Sequence, residues 1–389
     1  MQRIYKACLN DTGLFIAFVA TTFCYGYASH GQLGMTLDSY YYLAAAQNWA
    51  ARCMLVDHLG NTYTNWPPLY PWLLSLGAPD IMSFAVWLHG IALVASVFFF
   101  SRCLPNGQPS WLRTTVLLSY GLYAPLLACS IYLWSEVVFM ALLLAAFVAF
   151  SKSDKQPCGR VLYIVVANLM CLQRHAGIFF VAAWALARLL EPSPWQSRIR
   201  AAFAEGVAAS AAFWIWQWRN FCWIEHAQDF RQNAGLVSLS ESIELSVSAM
   251  STWLLPLPLP VALRIAVVGV AGAIILFFVL KERQKEHITN ALLLSFGCYL
   301  AGMWVLRMNI PSENDRYFLP LFPFFLILLL QVLGTRPKII ILLLVWICLY
   351  QTARGLKNTY QWHQNNATRY ESISNERIIG LHIHVGESL

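Results

Sequence analysis

Five short polar motifs in this sequence carry the residue types that could do chemistry. Asp38-Ser39 precedes three tyrosines, and Trp66-Pro67-Pro68-Leu69-Tyr70-Pro71 follows further along the chain. The other three are Ser135-Glu136, Gln173-Arg174-His175 and Glu313-Asn314-Asp315-Arg316-Tyr317. A carboxylate can take a proton from a hydroxyl group, and an arginine offers a bidentate fork to a phosphate. Together these groups could deprotonate a hydroxyl and hold an anion.

Each motif also has a purely structural interpretation. Asp38 could cap a following helix, because an N-cap carboxylate accepts hydrogen bonds from the first backbone N–H groups and contributes about 1 kcal/mol. Trp66 and the prolines could form a rigid turn, and Glu136 could be a surface cap. Arg174 could extend from a helix end to the membrane surface, and residues 313–317 could form a charged turn.

The composition indicates that the chain carrying these motifs is a membrane protein. The chain has 389 residues, of which 58% are hydrophobic and 12% charged, and a mean hydropathy of +0.54. Soluble domains carry roughly 25% charged residues, so a soluble globular enzyme, a disordered chain and a coiled coil are excluded. The net charge of +7 does not indicate nucleic-acid binding, because the basic residues lie between apolar runs. The 10 cysteines form no CxxC pair, which disfavours a zinc site.

Apolar stretches long enough to cross a bilayer predict about eleven transmembrane helices. They cover residues 12–29, 84–101, 112–129, 132–150, 160–173, 175–191, 202–219, 262–280, 289–305, 317–333 and 338–352. Residues 38–51 are expected to form a short amphipathic helix that begins at Asp38, and the shorter apolar stretch 67–78 to be re-entrant or interfacial. The predicted fold class is an all-α polytopic membrane protein with a helical first outer loop.

The lysines and arginines predict the orientation of these helices. Every short cytoplasmic loop is basic if the N-terminus is cytoplasmic, and an odd number of spans then places the C-terminus outside. Residues 1–352 are expected to form one transmembrane catalytic domain with outer loops at 30–83 and 220–261, and residues 353–389 a short outer tail. All five polar motifs then lie on the outer face.

Motifs on one membrane face predict an outward-facing cleft with acids and arginines above apolar walls. Such a cleft suits an anionic, lipid-linked substrate, because its chain can stay in the bilayer while its phosphate meets the arginines.

In these residues and in their order, the sequence resembles the GT-C-fold membrane glycosyltransferases. The group includes protein O-mannosyltransferases and the lipid A aminoarabinose transferases, and the bacterial RgtA/B/C/D-like members are the most similar. The resemblance covers residues 1–335. It consists of an acid after the first span (Asp38), Pro-Pro-Leu-Tyr-Pro (67–71), Ser135-Glu136, Arg174-His175-Ala176-Gly177 and Arg-Tyr-x-x-Pro-x-x-Pro (316–323).

The resemblance implies transfer of a sugar from a polyprenyl-phosphate donor to an acceptor hydroxyl on the outer face of a bacterial inner membrane. Asp38 matches the catalytic acid of the first loop and would accept the proton of that hydroxyl. The expected ligands of the donor phosphate are Arg174, His175 and Arg316, with Arg307 and Arg52 behind them. The expected substrate contacts are Tyr42, Trp66, Tyr70, Glu136 and Tyr317.

Two residues depart from the family pattern. Ser39 stands where many mannosyltransferase-type relatives have a second acid, and His175 stands where an aromatic residue such as tyrosine is more common. The resemblance implies no cofactor. A divalent ion could bind Asp38, Asp57, His58, Glu136, Glu313 or Asp315, although no ligand spacing specifies one. The expected partners are the lipid-linked donor, the bilayer and a glycolipid, polysaccharide or protein acceptor, without nucleic acid.

Two other functions remain open at the level of the sequence. A transporter or flippase of lipid-linked saccharides should place ionisable groups near the middle of the membrane, and only Glu205 and Arg264 come close to that position. An inactive membrane scaffold of the same fold is the third possibility, although the presence of Asp38 argues against it. The sugar, the acceptor and the lipid chain are not specified.

Overall fold

The protein is a bundle of α-helices. The computed structural model describes residues 12–153, 156–223, 237–256, 258–282, 287–306, 314–332 and 337–365, and these residues form no β-strand. In chain order the helices are α1 (Thr12–Ser29), α2 (Leu37–Arg52), α3 (Leu69–Ser75), α4 (Ile81–Cys103), α5 (Ser110–Gly121), α6 (Ala124–Ile131), α7 (Glu136–Lys152), α8 (Pro157–Gln173), α9 (Gly177–Leu189), α10 (Trp195–Trp223), α11 (Leu239–Ser251), α12 (Val261–Glu282), α13 (His287–Leu306), α14 (Asn314–Phe318), α15 (Phe322–Val332) and α16 (Pro337–Gln364). A 3₁₀ turn, Leu319–Leu321, joins α14 to α15.

The predicted all-α membrane fold is confirmed, with helix in every stretch that was expected to cross the bilayer. Among the described helices, α1, α4 and residues Ile288–Leu306 of α13 are each long and apolar enough to span a membrane. Helices α5 and α6 form a fourth candidate, bent by 43°. The stretch 112–129, predicted as one span, is therefore two helices with a bend between them. Pro125 explains the break, because proline lacks the N–H group that would continue the α5 hydrogen-bond ladder.

The first outer loop is helical, as the sequence predicts. Helix α2 begins at Leu37 rather than at Asp38, and the interfacial stretch forms α3 directly after Pro67 and Pro68. The predicted outer loop 220–261 contains α11, while residues 224–236 and 257 lie outside the described residues.

The last helix is longer than the hydropathy pattern predicts, because α16 continues past residue 352 to Gln364. Its final turn packs on the C-terminal end of α1. The His363 ring stacks between Tyr27 and His30, with centroid distances of 3.8 and 4.1 Å. His363 Nδ1 donates to the Tyr27 carbonyl (2.8 Å), and His30 Nε2 donates to the His363 carbonyl (3.1 Å). Polar and aromatic contacts thus extend this helix beyond its apolar part.

The start of the first outer loop is attached to the connection between α6 and α7. Gly34 N–H donates to the Ile131 carbonyl (2.8 Å), and Leu133 N–H donates to the Gly34 carbonyl (2.9 Å). Ser39 Oγ adds a hydrogen bond to the Leu133 carbonyl at 3.0 Å. These contacts place the first turn of α2 beside the first turn of α7.

Gly355 is the position where α16 comes closest to the break between α5 and α6. A Cβ atom there would lie 1.8 Å from the Leu122 carbonyl oxygen, whereas one at Gly269 of α12 would meet nothing within 4 Å. We expect Gly355→Ala to lower the stability by about 1–3 kcal/mol, because a backbone atom cannot rotate away. Gly269→Ala should be neutral or slightly stabilising, since alanine favours helix. Thermal unfolding in detergent micelles measures both, and equal midpoints would contradict the close packing of α16.

Candidate functional site

Four charged side chains from four separate elements meet at one end of the bundle. Arg316 of α14 donates from Nη2 to Asp38 Oδ2 at 2.7 Å, and its Nε lies 3.4 Å from Glu136 Oε1. Arg174, which follows α8, places Nη1 at 2.5 Å from the same Glu136 oxygen. Glu136 therefore lies between the two arginines, and Asp38 contacts the second of them. We call Asp38, Glu136, Arg174 and Arg316 the charged cluster.

Burial divides the charged cluster into an inner and an outer pair. The side chains of Glu136 and Arg316 are 5% and 8% exposed, while those of Arg174 and Asp38 are 20% and 24% exposed. Buried charges are tolerated when they are paired and hydrogen-bonded, and the two acids balance the two arginines. Glu136 can therefore hold the two arginines in place, while Arg174 and Asp38 are the more exposed groups of the cluster.

Asp38 does not cap a helix. The N-cap of α2 is Thr36, whose N–H donates to Ser39 Oγ at 2.9 Å, and Asp38 is the second residue of the helix. The helix-cap interpretation of Asp38 is therefore wrong. Thr36 and Ser39 cap the start of α2. The Asp38 carboxylate is not needed for capping and contacts Arg316 instead.

The Arg316 guanidinium is stacked as well as paired. It lies over the Trp134 ring at 4.5 Å and the Tyr317 ring at 5.2 Å from the centroids. Trp134 is held in turn by a hydrogen bond from Nε1 to Thr36 Oγ1 at 2.7 Å. Tyr317 is fixed through its carbonyl, which accepts a hydrogen bond from the Tyr299 hydroxyl. Aromatic faces attract a guanidinium and set its plane, so Arg316 is preorganised.

Ser135 links the charged cluster to Tyr42. Its Oγ accepts a hydrogen bond from Arg174 Nη1 at 3.0 Å and lies 3.3 Å from the Tyr42 hydroxyl. Its carbonyl accepts from Gln173 Nε2 at 3.0 Å. Burial raises the pKa of Tyr42, and the nearby Asp38 carboxylate raises it further. Tyr42 is therefore a neutral phenol at the edge of the cluster.

An aromatic wall borders the charged cluster. The Tyr42 ring packs edge-on against Tyr70 (4.9 Å between centroids) and Trp66 (5.9 Å), and Tyr41 packs on Trp66 at 4.6 Å. Tyr70 is fully buried, and its hydroxyl lies 2.6 Å from His89 Nε2. In a neutral imidazole whose Nδ1 donates to the Ser130 carbonyl at 2.9 Å, Nε2 accepts a hydrogen bond from the Tyr70 hydroxyl. The hydrogen bond to His89 thus fixes the position of the Tyr70 ring in the aromatic wall.

His89 was not predicted as part of this arrangement. It is the one ionisable residue in the apolar run of α4, and that isolation was the available signal. Its partners, Tyr70 and Ser130, come from other elements, so its role could not be predicted from local sequence.

The remaining predicted residues occupy other positions. The His175 ring packs edge-on against Phe213 of α10, with centroids 5.9 Å apart, and its phosphate contact stays a prediction. Arg52 is exposed at the end of α2. Arg307 and Glu313 lie outside the described residues.

The possible metal ligands named from the sequence were Asp38, Asp57, His58, Glu136, Glu313 and Asp315, of which Glu313 lies outside the described residues. Across the described ranges, no group of three His, Cys, Asp or Glu side chains could hold a metal ion. Asp57 Oδ1 accepts the N–H groups of Leu59 and Asn61, both at 2.9 Å, which shapes a turn. Asp315 pairs with Arg354 of α16 at 2.6 Å.

No family model and no curated protein matches this sequence. Among solved structures, the chain is similar to the Archaeoglobus fulgidus oligosaccharyltransferase in complex with zinc and sulfate, with a TM-score of 0.51 and 14% identity over 92% of this chain and 53% of that chain. The protein thus spans about half the length of that enzyme. It is also similar to ArnT from Cupriavidus metallidurans in the apo state, with a TM-score of 0.48 and 14% identity over 92% of this chain and 78% of ArnT. For ArnT bound to undecaprenyl phosphate, the TM-score is 0.48 and the identity is 14%, over 90% of this chain and 77% of ArnT. The architecture shared with the oligosaccharyltransferase shows that the chain has the GT-C fold, as predicted.

Proposed function

We propose that this GT-C-fold membrane protein transfers a sugar from a polyprenyl-phosphate donor to an acceptor hydroxyl on the outer face of a bacterial inner membrane. A fold alone does not determine a reaction, so the proposal rests on one observation. The charged cluster joins an accessible carboxylate, Asp38, to two arginines that share a buried acid.

The chemistry needs one base and one anion site. The acceptor oxygen attacks the anomeric carbon of the donor, and its proton passes to the Asp38 carboxylate. The bond between the anomeric carbon and the phosphate oxygen breaks, and the phosphate leaves with the electron pair. The charge that develops on the phosphate is stabilised by Arg174 and Arg316, whose positions are set before the substrate binds.

Glu136 acts as a positioning residue in this scheme. Its Oε1 contacts both arginines, at 2.5 and 3.4 Å, and its side chain is 5% exposed. Because it is buried beneath the arginines, it holds their forks in place without meeting the substrate. The same contacts reduce the repulsion between the two cations.

An apolar cavity near the charged cluster is consistent with a donor that carries a lipid chain. Its volume is about 210 Å³, and it lies between the end of α2, the segment after it, α3 and the outer end of α8. The lining residues are Trp49, Leu55, Pro68, Leu69, Trp72 and Leu172. Pro68 and Leu69 belong to the chain segment that also contributes Trp66 and Tyr70 to the aromatic wall, so a prenyl chain in this cavity would lie near the charged cluster.

Transport of a lipid-linked saccharide has weaker support. Glu205 pairs with Arg188 and with Arg160, each at 2.9 Å, and Arg264 donates to Ser251 Oγ at 3.0 Å and to the Leu259 carbonyl at 3.2 Å. These ionisable side chains are already held by protein partners, whereas a transport pathway requires them to exchange partners with the substrate.

Mass spectrometry of envelope glycolipids, polysaccharides and glycoproteins tests the proposal. Wild-type cells, a deletion strain and the deletion strain with the gene restored are compared. We expect one glycan in the deletion strain to lack one sugar residue and to regain it on restoration. Identical glycans in all three strains would overturn the proposal.

The proposed orientation predicts which cysteines a membrane-impermeant maleimide reaches. Cys53 follows α2 on the outer side, Cys158 lies at the cytoplasmic start of α8, and both are exposed, while Cys348 is buried. In intact spheroplasts, a variant with Cys53 as its single cysteine should be labelled, and one with Cys158 should react only after permeabilisation. A variant with Cys348 alone is the unreactive control. The reverse order for Cys53 and Cys158 would invert the topology and contradict an outer site.

A further inference from the structure

Tyr63 is a buried tyrosine of the first outer loop. It lies between α2 and α3, is 1% exposed, and packs its ring against Trp66 with centroids 6.2 Å apart. It belongs to none of the five polar motifs.

The backbone on both sides of Tyr63 is held in place. Its N–H donates to the Leu55 carbonyl at 3.0 Å, and its carbonyl accepts from Arg219 Nη1 at 2.8 Å. Asn220 Nδ2 donates to the neighbouring Thr64 carbonyl at 3.1 Å. The outer end of α10 thus clamps this part of the loop, and the Tyr63 ring has a defined position.

The hydroxyl of Tyr63 differs from those of its neighbours in having no hydrogen-bond partner within the described part of the chain. Tyr42 and Tyr70 pair with Ser135 and His89. A buried polar group without a partner costs about 1–3 kcal/mol, so the Tyr63 hydroxyl calls for an explanation, and a contact with substrate is one. The loop therefore orders a hydrogen-bond donor that it does not itself use.

Packing places Tyr63 near the charged cluster, because the Trp66 ring that it contacts also packs against Tyr42 at the edge of that cluster. Burial raises the pKa of Tyr63, and Tyr42, Asp38 and Tyr70 raise it further. The side chain is thus a neutral phenol that can donate a proton to a hydrogen bond but carries no charge.

We propose that Tyr63 is a substrate-binding residue that donates a hydrogen bond to a hydroxyl oxygen held beside Asp38. That hydroxyl belongs to the acceptor or to the transferred sugar. The assignment rests on the proposed glycosyl transfer.

A hydroxyl group fits this position better than a phosphate oxygen does. A hydroxyl can accept from Tyr63 and donate to the Asp38 carboxylate at the same time, whereas a phosphate would be repelled by that carboxylate. Tyr63 would therefore select substrates by a hydroxyl group, because a substrate that lacks it leaves the phenol unpaired.

Tyr63→Phe tests this assignment, with Tyr120→Phe as a matched control. Both remove one buried phenol oxygen, but Tyr120 lies on α5 against Phe100 of α4. Transfer is measured with purified protein in nanodiscs, using a polyprenyl phosphate that carries the sugar missing from the deletion strain. We expect Tyr63→Phe to lower the transfer rate about tenfold, the effect of one lost hydrogen bond to substrate, and Tyr120→Phe to leave it unchanged.

The unfolding midpoint separates a substrate contact from a structural role. Because the Tyr63 hydroxyl is unpaired, its removal should leave the midpoint unchanged or raise it. A rise in KM for the acceptor alone assigns the hydroxyl to the acceptor, and a rise in KM for the donor alone assigns it to the sugar. Wild-type rates in Tyr63→Phe, or a rate that falls together with the midpoint, would overturn the role of Tyr63 only. An inactive wild-type protein would overturn the proposed function and this assignment with it.

Discussion

Replacing Asp38 with asparagine is expected to lower the rate of sugar transfer by about 1,000-fold, within the usual range for loss of a general base. Asparagine has the size of aspartate and keeps an oxygen that can accept the hydrogen bond from Arg316 Nη2, now 2.7 Å from Asp38 Oδ2. It cannot take a proton from the acceptor hydroxyl. The variant should therefore fold and bind the donor while transfer nearly stops, which single-turnover rates in nanodiscs would measure.

Asp57→Asn is the matched control for this result. Asp57 belongs to the same outer loop and is more buried than Asp38, and its Oδ1 accepts the N–H groups of Leu59 and Asn61. Asparagine keeps that acceptor, so the transfer rate should stay near that of the wild type. Equal transfer rates for Asp38→Asn and Asp57→Asn would show that Asp38 is not the general base and only positions Arg316.

Replacing Glu136 with glutamine is expected to damage stability and transfer together. Glutamine leaves Arg174 and Arg316 in a site where only Asp38 still carries a negative charge, and loss of one partner from a buried ion pair costs about 3–5 kcal/mol. The arginines should also lose their fixed orientation toward the phosphate, which weakens donor binding. Thermal unfolding and the donor KM measure the two effects.

A second substitution separates charge from packing in that result. Glu136→Gln combined with Arg174→Gln again balances the cluster, since Asp38 and Arg316 remain as a pair. Its unfolding midpoint should recover most of the loss, while transfer stays low because one phosphate ligand is gone. A double variant as unstable as the sum of the two single variants would show that packing at Glu136, and not its charge, supports the fold.

The helices were predictable because hydrophobicity is a local property of the chain. The C-terminal end of α1 matches the predicted span, and the prolines before Leu69 mark the start of α3. Pro125 was a local signal for the break between α5 and α6, and the prediction of a single span did not use it. The extension of α16 to Gln364 needed information from elsewhere in the chain, because it depends on stacking with Tyr27 and His30.

The site was predictable in its residue types but not in its pairing. The sequence indicates acids and arginines on one face, yet Asp38 and Arg316 are separated by 278 positions. The contact between them depends on the attachment of Gly34 to Ile131 and Leu133, which no periodicity reveals. His89 and Tyr63 escaped prediction for the same reason, because each acquires its role through neighbours from other elements.

Release of free polyprenyl phosphate tests the central claim most directly. Wild-type protein and Asp38→Asn are reconstituted in nanodiscs with the acceptor and a polyprenyl phosphate that carries the missing sugar, and both products are followed by mass spectrometry. Our account predicts one polyprenyl phosphate released for each sugar that reaches the acceptor with wild-type protein, and almost none with Asp38→Asn. Donor that stays intact with wild-type protein, or that is consumed equally fast by Asp38→Asn, would contradict it.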